Sequence, residues 1–152
     1  MIRIALLLSC FAGAALPGAA LAQPRDFSCV GAERLEEDAV LVSFARGTHS
    51  LTPETIAALT PLAEAAKEAL ERNFCVLGFA ASPEGGAQTA SRLAARRARA
   101  LALQLSQLGI ERDRIRAEAR TRGFATTGTD RRAGARIILL PAPPRPAEIG
   151  PA

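Results

Sequence analysis

The sequence predicts an α/β fold: a two-layer α+β sandwich in which two helices pack on one mixed sheet. Three observations carry that prediction. Short apolar runs recur at residues 39–44 (AVLVSF), 74–80 (FCVLGFA) and 135–140 (ARIILL), and apolar runs of this length read as buried strands. Two longer stretches between them repeat apolar residues at helical spacing. With a weakly alternating third strand at residues 115–120, the order is strand, helix, strand, helix, strand, strand, and elements so ordered bury their apolar faces by laying helices on a sheet.

The first residues are set apart from that unit. Arg3 is followed by an apolar run to Leu16, a Pro17-Gly18 break, and Ala20-Leu21-Ala22. This is the layout of a secretory leader over residues 1–22, with cleavage before Gln23. The run is shorter than the roughly 20 residues that cross a bilayer, and no later segment is long and apolar enough to span. Leu7-Leu8-Ser9-Cys10 offers a lipoprotein-type alternative. It would leave only Ile4 to Ser9 as the hydrophobic stretch, so cleavage after Ala22 is favoured.

Residues 23–38 form a polar, mixed lead-in with a short strand expected near Cys29. The first helix begins at Thr52-Pro53-Glu54, which supplies an N-cap, a proline at the first helical position and an acid in the first turn. It is expected to run to about Arg72, with Ile56, Leu59, Ala63, Ala66 and Leu70 on its apolar stripe. Pro61 should kink or divide it, because proline lacks the N–H that bonds one turn back. Ser82-Pro83-Glu84-Gly85-Gly86 is a loop. A long helix follows over about 87–108, closed by Gly109 as C-cap. Residues 141–152 are rich in proline and alanine without periodicity and are expected to be extended or disordered.

The formal charge of +4 falls by one when Arg3 leaves with the leader, and Lys67 is the only lysine. Such a surface attracts anionic polymers, although an arginine-rich, alanine-rich composition also fits codon usage in a GC-rich genome. With no tryptophan or tyrosine, stacking platforms for nucleic acid are missing, and no nucleic-acid partner is expected. Loss of the leader leaves Cys29 and Cys75. In an oxidising compartment this pair suggests one disulfide, with two buried thiols as the alternative. His49 is the only histidine, so a four-ligand zinc site is not available, and no metal or cofactor is expected.

Arg97 stands out by spacing. At 100° per residue it shares one side of the second helix with Ala90, Leu93, Ala94, Leu101, Leu105 and Leu108, whereas Arg92, Arg96 and Arg99 point away. A guanidinium on an apolar stripe either reaches the rim, pairs internally, or waits for a ligand carboxylate that suits its planar fork. If it waits for a ligand, Arg97→Ala should cost less folding energy than Leu101→Ala. Ser82 lacks a Gly-x-Ser-x-Gly elbow, and His49 is its only available base, so a hydrolase built on the two is disfavoured. No catalytic residues are assigned.

The order of elements and the residues on them resemble the OmpA C-terminal family, which also takes in peptidoglycan-associated lipoproteins and the flagellar stator MotB. The first match is Val42-Ser43-Phe44-Ala45-Arg46-Gly47-Thr48-His49-Ser50-Leu51-Thr52-Pro53-Glu54. The second is Val76-Leu77-Gly78-Phe79, a turn, and Leu93-Ala94-Ala95-Arg96-Arg97-Ala98-Arg99-Ala100-Leu101. Gly109-Ile110, Arg114-Ile115 and Arg136-Ile137 follow in the family's order. The resemblance covers about residues 39–140 and implies a βαβαββ domain.

It also implies a ligand, the diaminopimelate of the peptidoglycan stem peptide, gripped by an arginine and an aspartate. Arg97 matches the arginine. Ser82 stands where the aspartate is usual, Ala90 replaces an asparagine, and of the closing Asn-Arg-Arg only Arg136 is kept. Glu84, in the same loop as Ser82, is a candidate replacement for the missing acid. The resemblance therefore implies a periplasmic, non-catalytic and weak wall-binding module, outer-membrane association being possible, with Arg97, Ser82, Glu84 and Arg136 as candidate ligand residues. The competing expectation is a degenerate domain that contacts envelope proteins or serves a structural role.

Overall fold

The computed structural model describes residues 25–80, 86–120 and 134–144. The leader expected at 1–22, the positions of Ser82 and Glu84, and residues 145–152 lie outside the described residues. Among the described residues four strands form one sheet: β1 (Ala39–Ser43), β2 (Phe74–Gly78), β3 (Ile115–Ala119) and β4 (Gly134–Leu139), in the order β1-β4-β2-β3. Strand β4 runs antiparallel to both β1 and β2, and β2 runs parallel to β3. The sheet is mixed, as the element order predicts. Helices α1 (Pro53–Glu68) and α2 (Gly86–Gln107) pack on it.

The two faces of the sheet follow from strand alternation. Val42, Phe74, Val76, Ala135, Ile137 and Leu139 face the helices and bury against Leu59, Ala63, Ala66, Leu101 and Leu105. Cys75, Leu77 and Ile138 face the other way and are covered by Cys29, Ala32 and Phe79. The lead-in thus closes the second face. It does so without the strand expected near Cys29: Gly31, at φ 80°, turns the chain into a short 3-10 turn over Ala32–Arg34. The Cys29–Cys75 disulfide, with Cα atoms 5.6 Å apart, fastens this cover to the central strand β2.

Helix α1 is one helix rather than two. Thr52 caps it, its side-chain oxygen accepting from the Thr55 N–H, and Pro61 lies inside it. The carbonyl that Pro61 leaves without a partner belongs to Ala57, and both residues are exposed, so water can replace the missing bond. The helix stops at Glu68 instead of near Arg72. Leu70, expected on its apolar stripe, therefore sits beyond it and is 55 % exposed, while Leu62 takes the buried position.

A fully buried arginine fills the end of α1. The Arg114 guanidinium donates to the carbonyls of Ala66 (2.7 Å), Ala69 (3.0 Å) and Arg72 (2.9 and 3.0 Å), and to the Glu111 carboxylate (3.0 Å). Last-turn carbonyls lack helical partners and carry the negative end of the helix dipole, which suits a cation.

Helix α2 ends as its sequence predicts. Gly109, at φ 96°, enters the left-handed region. The Gly109 and Ile110 N–H groups bond back to the carbonyls of Ser106 and Leu105 at 3.1 Å each, the double closure in which glycine carries no steric penalty. The helix lies very close to the sheet. A Cβ on Gly78 would run into the main-chain carbonyl of Ala94, so only glycine permits this approach.

Candidate functional site

The site forms where β1 and β2 end and β4 begins. Phe44 leaves β1, and the chain then turns through Gly47 at φ 71°. Thr48 fixes that turn through its N–H (3.1 Å) and hydroxyl (3.0 Å), both donating to the Ala45 carbonyl. Beside it, Phe79 leaves β2 and its N–H donates to the Gly134 carbonyl at 2.8 Å. Gly134 has φ 98°, and a Cβ there would lie 3.0 Å from the Phe44 ring and 3.5 Å from the Arg97 guanidinium. A glycine at this point therefore leaves the room the arginine occupies.

Arg97 reaches this junction from α2 and is 3 % exposed. Its Nε donates to the Thr48 carbonyl (2.9 Å), Nη1 to the Phe79 carbonyl (2.9 Å), and Nη2 to the Ala45 carbonyl (3.3 Å). The guanidinium carbon lies 5.1 Å from the centre of the Phe44 ring, within range of a cation–π interaction. The inward side of the helix was predictable from spacing; the partners were not. They are main-chain carbonyls gathered from two separate chain segments, so Arg97 ties the 45–48 turn to the end of β2.

The other candidates are distributed differently. Ser82 and Glu84 lie outside the described residues. Ala90, in the asparagine position, is buried. His49 is exposed. Arg136 is not brought together with Arg97: it alternates with the helix-facing Ala135 and Ile137, so it points to the opposite face, and its Nη2 donates to the Leu35 carbonyl at 2.6 Å. Cys29 and Cys75 are joined. Among the described residues no cluster of His, Cys, Asp and Glu could hold a metal, and no helix is long and apolar enough to cross a membrane.

The geometry offers a fixed, desolvated cation in a polar main-chain frame, a device for holding an anion or for holding a loop. A family model described as the OmpA family matches residues 43–136, more than half of the chain. The chain belongs to the OmpA family. The OmpA-family domain also matches solved structures in fold. One is the OmpA-like domain of FopA1 from Francisella tularensis, at 19 % identity and TM-score 0.55, covering 72 % of this chain and 80 % of that one. A second is the peptidoglycan-associated lipoprotein of Burkholderia pseudomallei, at 20 % identity and TM-score 0.54, covering 65 % and 86 %. A third is the C-terminal domain of Helicobacter pylori MotB, at 13 % identity and TM-score 0.54, covering 66 % and 81 %. No curated protein gives a significant match.

The sequence missed three residues of this OmpA-family domain that set its architecture. Arg114 was visible only as a neighbour of a strand, and nothing local announced that its guanidinium closes α1. Arg120 donates to the Cys29 carbonyl at 2.8 Å and pairs with Glu118, bracing the lead-in. Gly78 was read as part of a strand, although a glycine inside an apolar strand is itself a sign of close backbone approach.

Proposed function

We propose that this chain is an exported, non-catalytic module that associates with the cell wall through the junction around Arg97. The observation that carries the reading is the buried guanidinium at the mouth of the strand ends, bonded to the Phe79 carbonyl where β2 leaves the sheet, in a domain of the OmpA family. A solved structural relative is named as peptidoglycan-associated, and the same ligand class suits an arginine fork, which holds carboxylates in two-point fashion. In this reading Arg97 takes a carboxylate of the stem peptide's diaminopimelate. Ser82 and Glu84 meet its ammonium. Arg136 is left out, because its guanidinium serves the Leu35 carbonyl on the other face.

Binding is weak in this reading. A hydroxyl at Ser82 replaces a carboxylate, and the difference between a neutral and a charge-assisted hydrogen bond is about 1–2 kcal/mol, or roughly ten-fold in affinity. Residues 1–22 act as leader, the mature chain starts at Gln23, and the protein resides in the periplasm. Intact-mass measurement of exported protein tests the start, and acylation at Cys10 refutes it.

The binding test is a pulldown on purified peptidoglycan with native protein, Ser82→Asp, and Ser82→Asp combined with Arg97→Lys. Weak native binding, a gain with Ser82→Asp, and loss in the double variant support the proposal. Absence of binding by both native and Ser82→Asp refutes it. A second reading, a domain that kept the fold and now contacts envelope proteins, is favoured by one observation: three N–H groups of Arg97 already serve main-chain carbonyls.

A further inference from the structure

Helix α2 carries four arginines and no acidic residue along Gly86–Gln107. Arg97 is turned inward, while Arg92, Arg96 and Arg99 are exposed. Together with Leu103 these three occupy positions i, i+4, i+7 and i+11, which fall within about 60° of arc on a helix. They lie opposite the buried Leu93, Ala94, Ala98, Leu101 and Leu105, so the ridge faces straight away from the sheet. Among the described residues Arg92, Arg96 and Arg99 make no ion pair, and α2 itself carries no acid to neutralise them. At the end of the ridge Leu103 is 53 % exposed. It borders a shallow groove of about 340 Å³ shared with Ala102, Ser106, Ile115 and the exposed Arg112.

We propose that this ridge docks the domain on an anionic lipid surface. Three guanidinium groups in a row match phosphate-bearing head groups, which arginine binds in two-point fashion. The ridge is straight, about 16 Å long at the helical rise, and convex, a shape that suits a flat surface better than a small soluble ligand. Leu103 and its groove add what a soluble polyanion has no use for, an apolar contact that enters the boundary between head groups and acyl chains. The ridge lies on the opposite side of α2 from Arg97, so lipid docking and wall binding are separable properties, and neither depends on the other.

The test is co-sedimentation of the purified chain with vesicles of phosphatidylglycerol and phosphatidylcholine, against phosphatidylcholine alone. The chain should pellet only with the anionic vesicles, and less as salt screens the attraction. With about five-fold contributed by each arginine near an anionic surface, the R92Q/R96Q/R99Q variant should bind on the order of a hundred-fold more weakly. R92K/R96K/R99K should keep most of the binding, and L103S should lose several-fold. Melting temperatures of all three should match native, since the residues are exposed. Native protein that ignores anionic vesicles, or a triple glutamine variant that binds as native does, overturns the proposal. So does soluble polyphosphate that competes as well as vesicles while L103S has no effect, because the partner is then a soluble polyanion.

Discussion

Replacing Arg97 with alanine removes a cation from the domain interior and strands the acceptors it served. The Phe79 carbonyl is fully buried with its donor, whereas the Thr48 and Ala45 carbonyls lie where water reaches them. A buried acceptor left without a donor costs about 1–3 kcal/mol, and partly exposed ones much less because water takes over. Loss of the cation–π contact with Phe44 adds about 0.5–2 kcal/mol. The sum, about 1.5–5 kcal/mol, overlaps the roughly 2–5 kcal/mol of a buried leucine-to-alanine change. An arginine on the apolar stripe is thus not cheap to remove here, because it already donates to three main-chain carbonyls. Thermal or urea melts of Arg97→Ala, Arg97→Lys and Leu101→Ala measure this. Arg97→Ala should melt on the order of 10 °C below native, near Leu101→Ala, with Arg97→Lys in between because one ammonium cannot reach carbonyls on both segments. A native-like melt for Arg97→Ala would refute the clamp and leave Arg97 as a purely ligand-directed group.

Three further outcomes are expected. Denatured, unreduced protein should show no free thiol at Cys29 or Cys75 on labelling, and replacing both with serine should lower stability by about 2–4 kcal/mol in urea titration. Gly78→Ala should destabilise by about 3 kcal/mol or more in the same titration, because its methyl group meets the Ala94 carbonyl and α2 must shift as a body. The Glu111 carboxyl is held below its ordinary 4.5 by a main-chain hydrogen bond at Glu111 and then by the Arg114 guanidinium. A depressed folded value means the stabilisation is present above that ordinary range and is lost as pH falls through the folded value. Melting temperature followed through the acid range should therefore fall less steeply for Glu111→Gln than for native.

What the sequence revealed was what neighbouring residues encode. The helix start at Thr52-Pro53, the glycine end at Gly109, the three apolar strand runs and the weakly alternating strand at 115–120 are local patterns, and all appear within a few residues of where they are expected. The length of α1 was misjudged because Leu70 continues the apolar spacing, while the event that ends the helix, capture of its carbonyls by Arg114, comes from over forty residues away. The lead-in shows the same limit. Phe27, Cys29 and Ala32 have no period, so their role as a lid on the second face emerges only once β2 and β4 supply the surface beneath. At the candidate site, spacing placed Arg97 inward, but main-chain carbonyls leave no mark in a sequence.

The position of β4 sets the timetable of the whole domain. Among the described residues it is the last strand, yet it sits between β1 and β2, and there β1 pairs with no other strand. A chain emerging from its N-terminus can assemble β2 beside β3, but β1 must wait until residues 134–139 arrive. Closing the sheet therefore waits on β4, and it joins segments roughly a hundred residues apart, the kind of long-range pairing that slows folding. A fragment that stops short of Gly134 leaves the apolar strands β1 and β2 each with an open edge, a natural target for proteases and chaperones.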